Sequence, residues 1–431
     1  MKKTTNICQT AIVIMAMAVF LVSWQSLAAV PAAAGGLTAG GRFAVITADT
    51  ATQDTVDNMA ETAWPENVRA RLEELLTADM FRTSTVGMMI YDITADSVIF
   101  KYNESQLMRP ASTLKMMVAV AALDRLGGDY RYATELLYDG RIEGRVLDGD
   151  LYCRGGFDPV FGRDDLAAFA DSVKALGVDT VRGNLYADLS MKDSDRLGEG
   201  WCWDDDNPVL TPLLISGKDE FLERFKDALN RVDIVVEGSL KEDRVPRGAV
   251  PLCVIRRPID DILPRMMKES DNLYSESLFY QLAASAGSSA PATAKQGRRM
   301  MNRLIERLGF RPSDYYIADG SGLSLYNYVS PELEVAFLRY AYSKTAIHAH
   351  LYDALPIAGV DGTLDSRMRH GYANGNVRAK TGTVTGVSSL AGYCMAANGH
   401  VLCFSIINMG IRRAAIGRHF QDRVCEALCR P

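Results

Sequence analysis

The chain has 431 residues, of which 48% are hydrophobic, and 47 lysines and arginines against 53 aspartates and glutamates give it a formal charge of −6. This length is enough for a large core and one or two domains. Because the basic residues are scattered and the net charge is negative, the composition argues against a nucleic-acid partner.

The first 29 residues have the features of a secretory signal peptide. Lys2 and Lys3 give a basic start, 11–22 is an apolar run, and 26–28 is a small-residue cleavage pattern. A membrane anchor is the alternative, but the apolar run is short for a span. Cleavage would remove both lysines, change the net charge from −6 to −8, and leave a product with no integral membrane segment outside the cytoplasmic membrane.

The segment 30–64 is rich in alanine, glycine and threonine without sustained periodicity, and it is predicted to be a linker. A helix is expected from Pro65, because proline is favoured in a first turn. Strands are expected at 85–91 and 97–102, with a turn between them.

The first motif that carries chemistry is Ser112-Thr113-Leu114-Lys115. The run 114–126 is apolar nearly all round, which is typical of a buried central helix. Ser112 is then the candidate nucleophile at its start, and Lys115, three residues later on the same side, is the candidate base. Burial would lower the pKa of Lys115 towards the range where a neutral amine can act. A capping serine with a surface lysine is the alternative, which the apolar neighbours of Lys115 disfavour.

Between the first and second motifs, 131–250 has a different texture and is predicted to be an inserted α+β accessory domain. The catalytic domain would then comprise 65–130 and 251–431. Short strands are expected at 133–138, 150–153, 180–186 and 232–236, and helices at 164–176 and 220–229.

The second motif, Ser270-Asp271-Asn272, lies in a break between two helical stretches. Ser270 is expected to pass a proton between Lys115 and the leaving amine. Asn272 is expected to hold either the substrate's peptide carbonyl or the lysine. Taken alone, a serine and an asparagine between helices are more often a cap and a solvated amide.

The third motif, Lys380-Thr381-Gly382-Thr383, has a strand-like pattern in which Gly382 would leave room for a ligand backbone. Lys380 and the hydroxyls of Thr381 and Thr383 are expected to bind a free carboxylate. The backbone N–H groups of Ser112 and Thr383 would form an oxyanion hole. The alternative is an edge strand with a solvated lysine.

Seven cysteines remain beyond Cys8, and an odd number argues against a disulfide framework. The strands expected at 391–395 and 401–407 flank Asn398-Gly399, a strong signal for a two-residue hairpin. Such a loop would place Cys394 opposite Cys403, close enough for a disulfide. Two free thiols in neighbouring core strands are the alternative. The chain is expected to end in a helix at 418–428.

The histidines do not suggest a metal site. Only five are present, and the pair His348 and His350 has no established ligand spacing and no acidic or cysteine partner. No G-x-S-x-G sequence marks a nucleophile elbow. The sequence therefore predicts a serine nucleophile activated by lysine, without a metal or cofactor.

In this order the three motifs resemble those of the penicillin-binding proteins and serine β-lactamases. More narrowly, the chain resembles the family of penicillin-binding protein 4, the low-molecular-mass class C D-alanyl-D-alanine carboxypeptidases/endopeptidases. The resemblance runs from about 85 to 404, and its supporting segments are 155–159, 200–205, 318–324 and 358–364.

The resemblance implies a mixed α/β, penicillin-recognising serine transpeptidase-like fold: an antiparallel sheet of about five strands covered by helices. It implies a periplasmic enzyme that hydrolyses the terminal D-Ala-D-Ala bond of peptidoglycan stem peptides, and peptide cross-links, and that β-lactams acylate. It also assigns Asp205 to the side-chain amine of the stem peptide. Two departures stand out: Leu325 replaces a usual arginine, and a second inserted domain is missing after 208–212.

Two other functions share these motifs. A β-lactamase would need an efficient deacylating base, such as a glutamate on a loop between the first two motifs, where this chain has a domain-sized insertion. A non-hydrolytic penicillin sensor or wall-binding module could dispense with part of the proton relay, yet this chain retains all of it.

Overall fold

The computed structural model describes residues 64–203, 207–287 and 291–431. The predicted signal peptide, the predicted linker up to residue 63 and Asp205 lie outside these ranges. Within them, no helix is both long and apolar enough to pass through a bilayer.

The described ranges contain nine helices, apart from shorter 3₁₀ and π turns. They are α1 (64–75), α2 (Leu114–Leu126), α3 (Arg163–Lys174), α4 (Phe221–Arg231), α5 (Asn272–Ala284), α6 (Ala294–Arg307), α7 (Pro331–Ser343), α8 (Thr345–Ala354) and α9 (Ala414–Cys429).

They also contain twelve strands. They are β1 (Thr85–Asp92), β2 (Ser97–Tyr102), β3 (Arg131–Glu143), β4 (Val146–Arg154), β5 (Thr180–Val181), β6 (Leu185–Asp188), β7 (Val235–Val236), β8 (Leu240–Glu242), β9 (Val250–Pro258), β10 (Arg378–Val384), β11 (Val387–Met395) and β12 (Val401–Met409).

The main sheet has the order β10-β11-β12-β1-β2, and every pair of neighbours is antiparallel. This confirms the expected antiparallel sheet of five strands. Because side chains alternate across a strand, its two faces carry different cores. One face packs with α2, α5 and α7, and the other with α1 and α9. Both faces are covered by helices, as expected.

Helix α2 has the bounds that its apolar pattern predicts. All residues from Leu114 to Leu123 are buried, and Gly127, at φ +85°, ends the helix. A helix that is apolar on every side has no face to present to water, so it lies in the interior of the fold. It holds the residues around Ser112 against the third motif.

The insertion forms a second sheet with its own hydrophobic core. β3 is flanked by the antiparallel strands β4 and β9, while β5 and β6 pair with β4 in parallel. Helices α3 and α4 cover this sheet through residues such as Phe169 and Phe225. The single strand expected at 180–186 is two strands, β5 and β6, because the chain bends at Gly183, where a Cβ would meet the Gly149 carbonyl at 2.3 Å.

The hairpin prediction was wrong in its register. Met395 pairs with Val401, so the connection spans five residues instead of two, and Cys394 lies opposite Leu402 while Cys403 lies opposite Tyr393. A shift of one residue turns a side chain to the other face. The two thiols therefore lie in different cores, and no disulfide joins them. The Cys394 thiol is instead free and buried in the same core as Cys429 of α9.

Candidate active site

Residues from all three motifs line one cavity of about 310 Å³. Its walls include Ser112 from the first motif, Ser270 from the second, and Thr381 and Thr383 from the third. Lys115, Asn272 and Lys380 lie behind these residues and are hydrogen-bonded to them or to each other. The structure thus brings together side chains that are up to 271 positions apart, from Ser112 to Thr383.

Ser112 lies in a 3₁₀ turn, Ala111–Thr113, that leads into α2. Ala111 has a φ of +51°, and Gly322 approaches so closely that a Cβ there would meet the Ala111 carbonyl oxygen at 1.8 Å. The Thr113 hydroxyl lies 2.8 Å from the Pro110 carbonyl and 2.5 Å from Oε1 of Glu334. These contacts fix the position of the Ser112 turn before any ligand binds.

The amine of Lys115 lies between three oxygen atoms. Its Nζ is 2.9 Å from Ser112 Oγ, 2.8 Å from Asn272 Oδ1 and 2.6 Å from the Ser321 carbonyl. The last two can only accept hydrogen bonds. A neutral amine that donates its two hydrogens to them directs its lone pair at Ser112 Oγ. This is the arrangement that a general base needs.

Burial favours that neutral form. Lys115 has no exposed surface, and loss of hydration lowers its pKa to about 8, although the charges of Asp319, Glu276 and Asp271 oppose the decrease. The base predicted from the sequence is therefore buried and directed at the predicted nucleophile. Asn272, for which two roles were open, accepts from the lysine through Oδ1, which leaves its Nδ2 group for another acceptor.

Ser270 adopts a left-handed conformation, φ 60° and ψ 32°, between a π turn and the start of α5. Asp271 caps α5, since its carboxylate accepts from the Tyr274 N–H at 3.3 Å. Ser270 is thereby directed into the cavity, where its Oγ accepts from Lys380 Nζ at 2.8 Å. In the second motif, Asp271 therefore has a structural role as a helix cap, while Ser270 and Asn272 on either side accept from the amines of Lys380 and Lys115.

Lys380 is on β10, the edge strand of the main sheet, but it is fully buried and not solvated. Its Nζ also donates to the Thr381 carbonyl at 2.7 Å. Burial, and secondarily the charge of Lys115, hold the pKa of Lys380 well below its usual range. The lysine therefore supports Ser270 directly.

Gly382 allows β10 to lie against the Ser112 turn. A Cβ at this position would meet Ser389 Oγ at 2.1 Å, the Pro110 carbonyl oxygen at 2.8 Å and the Ser112 backbone nitrogen at 2.9 Å. The space that a side chain would fill is thus occupied by the Ser389 hydroxyl and the backbone of the Ser112 turn. Thr381 and Thr383 flank it. Thr381 Oγ1 donates to Thr363 Oγ1 at 2.7 Å, and Thr383 is exposed at the cavity wall.

Two buried carboxylates support the site and were not identified from the sequence. Glu276 accepts from the backbone N–H groups of Gly320 and Ser321 at 2.7 to 3.1 Å, and so fixes the carbonyl that receives Lys115. Burial, together with the nearby charge of Asp319, raises the pKa of Glu276. An acidic residue within the apolar stretch 273–282 was a signal that could have identified it. Glu334, on α7, carries no comparable signal.

Of the predicted site residues, only Asp205 has no described position, since it falls in the gap between 203 and 207. Nearby, Trp201 donates through Nε1 to Asp319 at 2.8 Å, which connects this segment to the loop that holds Ser321. In the described part of the chain, no three His, Cys, Asp or Glu side chains converge in a way that could hold a metal ion.

Known proteins are similar to this chain in both sequence and fold. A model of the D-Ala-D-Ala carboxypeptidase 3 (S13) family matches residues 68–214 and 213–428, which is most of the chain. The chain belongs to this family. The D-alanyl-D-alanine carboxypeptidase DacB of Haemophilus influenzae is 28% identical over 414 residues, covering 76% of this chain and 86% of that protein. A D-alanyl-D-alanine carboxypeptidase of Actinomadura sp. is 28% identical over 441 residues, with 80% and 81% covered.

Solved structures agree with this assignment to the S13 family. The crystal structure of penicillin binding protein 4 from Haemophilus influenzae has a TM-score of 0.74 at 25% identity, covering 83% of this chain and 98% of that chain. A second crystal structure of that protein, complexed with a β-lactam, has a TM-score of 0.68 at the same identity and coverage. The predicted family, the mixed α/β fold and the class of serine-type carboxypeptidase are confirmed.

Proposed function

We propose that this S13 chain is an exported, periplasmic D,D-peptidase that hydrolyses the terminal D-Ala-D-Ala bond of peptidoglycan stem peptides through an ester on Ser112. The observation that carries the proposal is the Lys115 amine, which is buried, held by two acceptors and directed at Ser112 Oγ over 2.9 Å. The same geometry supports action on peptide cross-links, since these also present a D-Ala carbonyl for attack.

In the acylation step, Ser112 Oγ attacks the carbonyl carbon of the penultimate D-Ala, and its proton passes to Lys115 Nζ. The backbone N–H groups of Ser112 and Thr383, on either side of Gly382, would receive the developing oxyanion. The C–N bond then breaks. The departing amine of the last D-Ala takes a proton that Lys115 or the hydroxyl of Ser270 supplies, and the released residue is free D-alanine.

In the deacylation step, water attacks the ester carbonyl and Lys115 takes its proton, which then returns to Ser112 Oγ as the C–O bond breaks. Ser270 and Lys380, joined over 2.8 Å, form a second proton-carrying pair on the same cavity. The Asn272 amide, oriented by its own bond to Lys115, can hold the peptide carbonyl of the stem. The assigned roles are therefore nucleophile for Ser112, base for Lys115, relay for Ser270 and binding for Asn272.

We further propose that an accessory unit is inserted into the catalytic domain, as predicted at 131–250, but that this unit ends at Pro258. The separate hydrophobic core of the second sheet supports this division, and β9 extends that sheet to Pro258. Asp205 is proposed to contact the stem peptide's amine. No role for nucleic acid or a cofactor enters the proposal.

The proposal is tested by incubating the mature protein with a labelled penicillin and, separately, with a disaccharide pentapeptide, and following both by mass spectrometry. We expect a stable penicilloyl adduct on Ser112 and loss of one D-Ala from the peptide. The Ser112→Ala variant should show neither. Rapid release of penicilloic acid would indicate a β-lactamase, and an adduct without peptide turnover would indicate a penicillin sensor.

A further inference from the structure

The proposed site needs a cation for the substrate's terminal carboxylate, and the expected sources do not supply one. Position 325, where the family resemblance implies an arginine, is an apolar leucine in this chain. Lys380 is fully buried, and its Nζ is engaged with Ser270 Oγ and the Thr381 carbonyl. A carboxylate in the cavity could reach Lys380 only by displacing these partners.

Two arginines do line the cavity, Arg367 and Arg418. Arg367 is already paired, because its guanidinium lies 2.6 Å from the Asp422 carboxylate and donates to Gln421 Oε1 at 3.1 Å and to the Arg418 carbonyl at 3.3 Å. Its function is therefore to hold the first half of α9 against the cavity.

Arg418 is in a different position. Its Nη2 contacts Thr383 Oγ1 at 3.4 Å, at the exposed end of the third motif. Among the ion pairs of the described residues, none involves Arg418, and the side chain is exposed. An arginine fork suits a carboxylate because two parallel N–H groups can each donate to one oxygen. Thr381 and Thr383, two positions apart on β10, point their hydroxyls to the same side.

We propose that Arg418 binds the free carboxylate at the C-terminal end of the substrate, and the corresponding carboxylate of penicillins, with Thr383 beside it. This inference rests on the proposed function and adds a residue from the last helix to the three motifs. Arg367 preorganises the site by holding the backbone of α9.

The test compares ligands with and without a carboxylate. Acylation of Ser112 is measured with benzylpenicillin, which carries a carboxylate, and with phenylmethanesulfonyl fluoride, which carries none. Arg418→Gln should lower the rate constant for benzylpenicillin by about tenfold to a hundredfold, the range for a hydrogen-bonded charge pair, and leave the sulfonylation rate within twofold. Arg418→Lys, which keeps the charge without the fork, should fall between.

The matched control is Arg423→Gln. Arg423 is exposed on the same helix but lines a different cavity, with Arg413 and His419, so both rates should be unchanged. Equal loss of both rates in Arg418→Gln would show a structural role and overturn the inference, as would no loss at all.

Failure of the proposed function gives a different pattern. A wild-type protein that leaves D-Ala-D-Ala peptides intact but is acylated by benzylpenicillin is not a peptidase, yet the two reagents still decide the role of Arg418. If peptides are turned over, Arg418→Gln should lower kcat/KM by the same factor for a peptide that ends in a free carboxylate. For the same peptide with a C-terminal amide, kcat/KM should not change. Absence of any adduct on Ser112 of the wild type would overturn both.

Discussion

Lys115 is a charged residue type on a helix that is otherwise apolar, and the structure gives it no contact with water. Its environment accounts for this placement. Oxygen atoms of Asn272 and Ser321 replace the lost hydration, and the third neighbour is the hydroxyl that must lose a proton. Burying an amine without such partners would cost several kcal/mol, so the three contacts also make the burial tolerable.

The acylation rate should depend on the protonation of Lys115. Because its pKa is lowered to about 8, the neutral base is a minority below that pH and the main form above it. The second-order rate constant for benzylpenicillin should rise tenfold per pH unit from pH 6 and level off near pH 8. Lys115→Arg, which cannot deprotonate, should be slower by about a hundredfold or more at every pH. A flat profile for the wild type would exclude this role.

Gly322 should be needed for activity beyond its effect on stability. Gly322→Ala adds a Cβ 1.8 Å from the Ala111 carbonyl at a φ of +78°, whereas Gly177→Ala has a nearly equal φ of +77° and nothing within 4 Å. Both should lose about 1–2 kcal/mol from the left-handed backbone. Only Gly322→Ala should also slow acylation, by about a hundredfold, since the Ser112 turn must shift. Urea unfolding and acylation kinetics measure the two effects, and equal activity in both variants would refute the argument.

At the scale of elements, α7 holds the Ser112 turn to the main sheet through Glu334. Its fully buried carboxyl group lies 2.5 Å from Thr113 Oγ1 and 2.6 Å from Ser405 Oγ on β12. Thr113 has one hydrogen, which it can donate to the Pro110 carbonyl. The same hydroxyl also lies within donating distance of Glu334 Oε1, and the Ser405 hydroxyl donates to Glu334 Oε2, so the buried carboxyl group accepts from two elements.

Burial, opposed by the bonds from Ser405 and Thr113, raises the pKa of Glu334 to about 7 from an ordinary 4.5. Between these two values the folded state binds more protons than the unfolded state, so this group makes stability decrease as pH rises. This contribution lowers the unfolding free energy by up to about 3 kcal/mol as the pH rises, and it should be absent in Glu334→Gln, which has no proton to lose. Urea unfolding of both proteins from pH 5 to 8 measures it, and parallel pH profiles would contradict the prediction.

The elements nearest the motifs were predictable because their patterns are local. An apolar run ending in two glycines determined α2, and two strand-like runs separated by a turn determined β1 and β2. The hairpin register was not predictable in the same way. The Asn398-Gly399 signal is real in the sequence, but Ala396 donates to the His400 carbonyl at 2.8 Å and so closes a wider connection. The observed register is therefore the one that buries the apolar residues of both strands, and not the one that the turn sequence favours locally.

At the scale of the whole molecule, the second sheet is joined to the catalytic helices by a short segment after β4. The Gly156 carbonyl accepts from Gln281 Nε2 of α5 at 2.6 Å, and the Phe157 ring packs 5.8 Å from that of Tyr280. Next to it, Arg257 of β9 binds Asp158 at 3.2 Å and Asp165 at 2.7 Å. This ion-pair network fixes the position of the junction.

Removing the arginine should be costly because Asp158, only 3% exposed, would remain. Burial already raises the pKa of that carboxyl despite the pairing. Arg257→Met should lose about 3 kcal/mol of unfolding free energy at pH 7, as expected when one partner of a buried pair is deleted. Adding Asp158→Asn should recover part of it, which a double-mutant cycle measures. Additive losses would show that the pair is not coupled.

The site itself was predictable in so far as its chemistry requires particular residue types in a particular order. Ser112, Ser270 and Thr383, one from each motif, line the same cavity. Arg418 and Glu334 were not predicted, because each is an ordinary residue of an amphipathic or mixed helix until tertiary packing places it. A single arginine or glutamate in a helix does not indicate a site by itself, because its neighbours in space are known only from the folded structure.

The register of the hairpin places Cys394 and Cys403 in different interiors, so the five buried thiols of the described residues are divided among three. Cys403 lies in the layer of α2, Cys394 with Cys425 and Cys429 in the layer of α9, and Cys153 under the helices of the second sheet. Each buried sulfur can react with an alkylating reagent only when its own layer opens. Pulse alkylation during unfolding, read peptide by peptide, would therefore give the order in which the three layers come apart, without any engineered label.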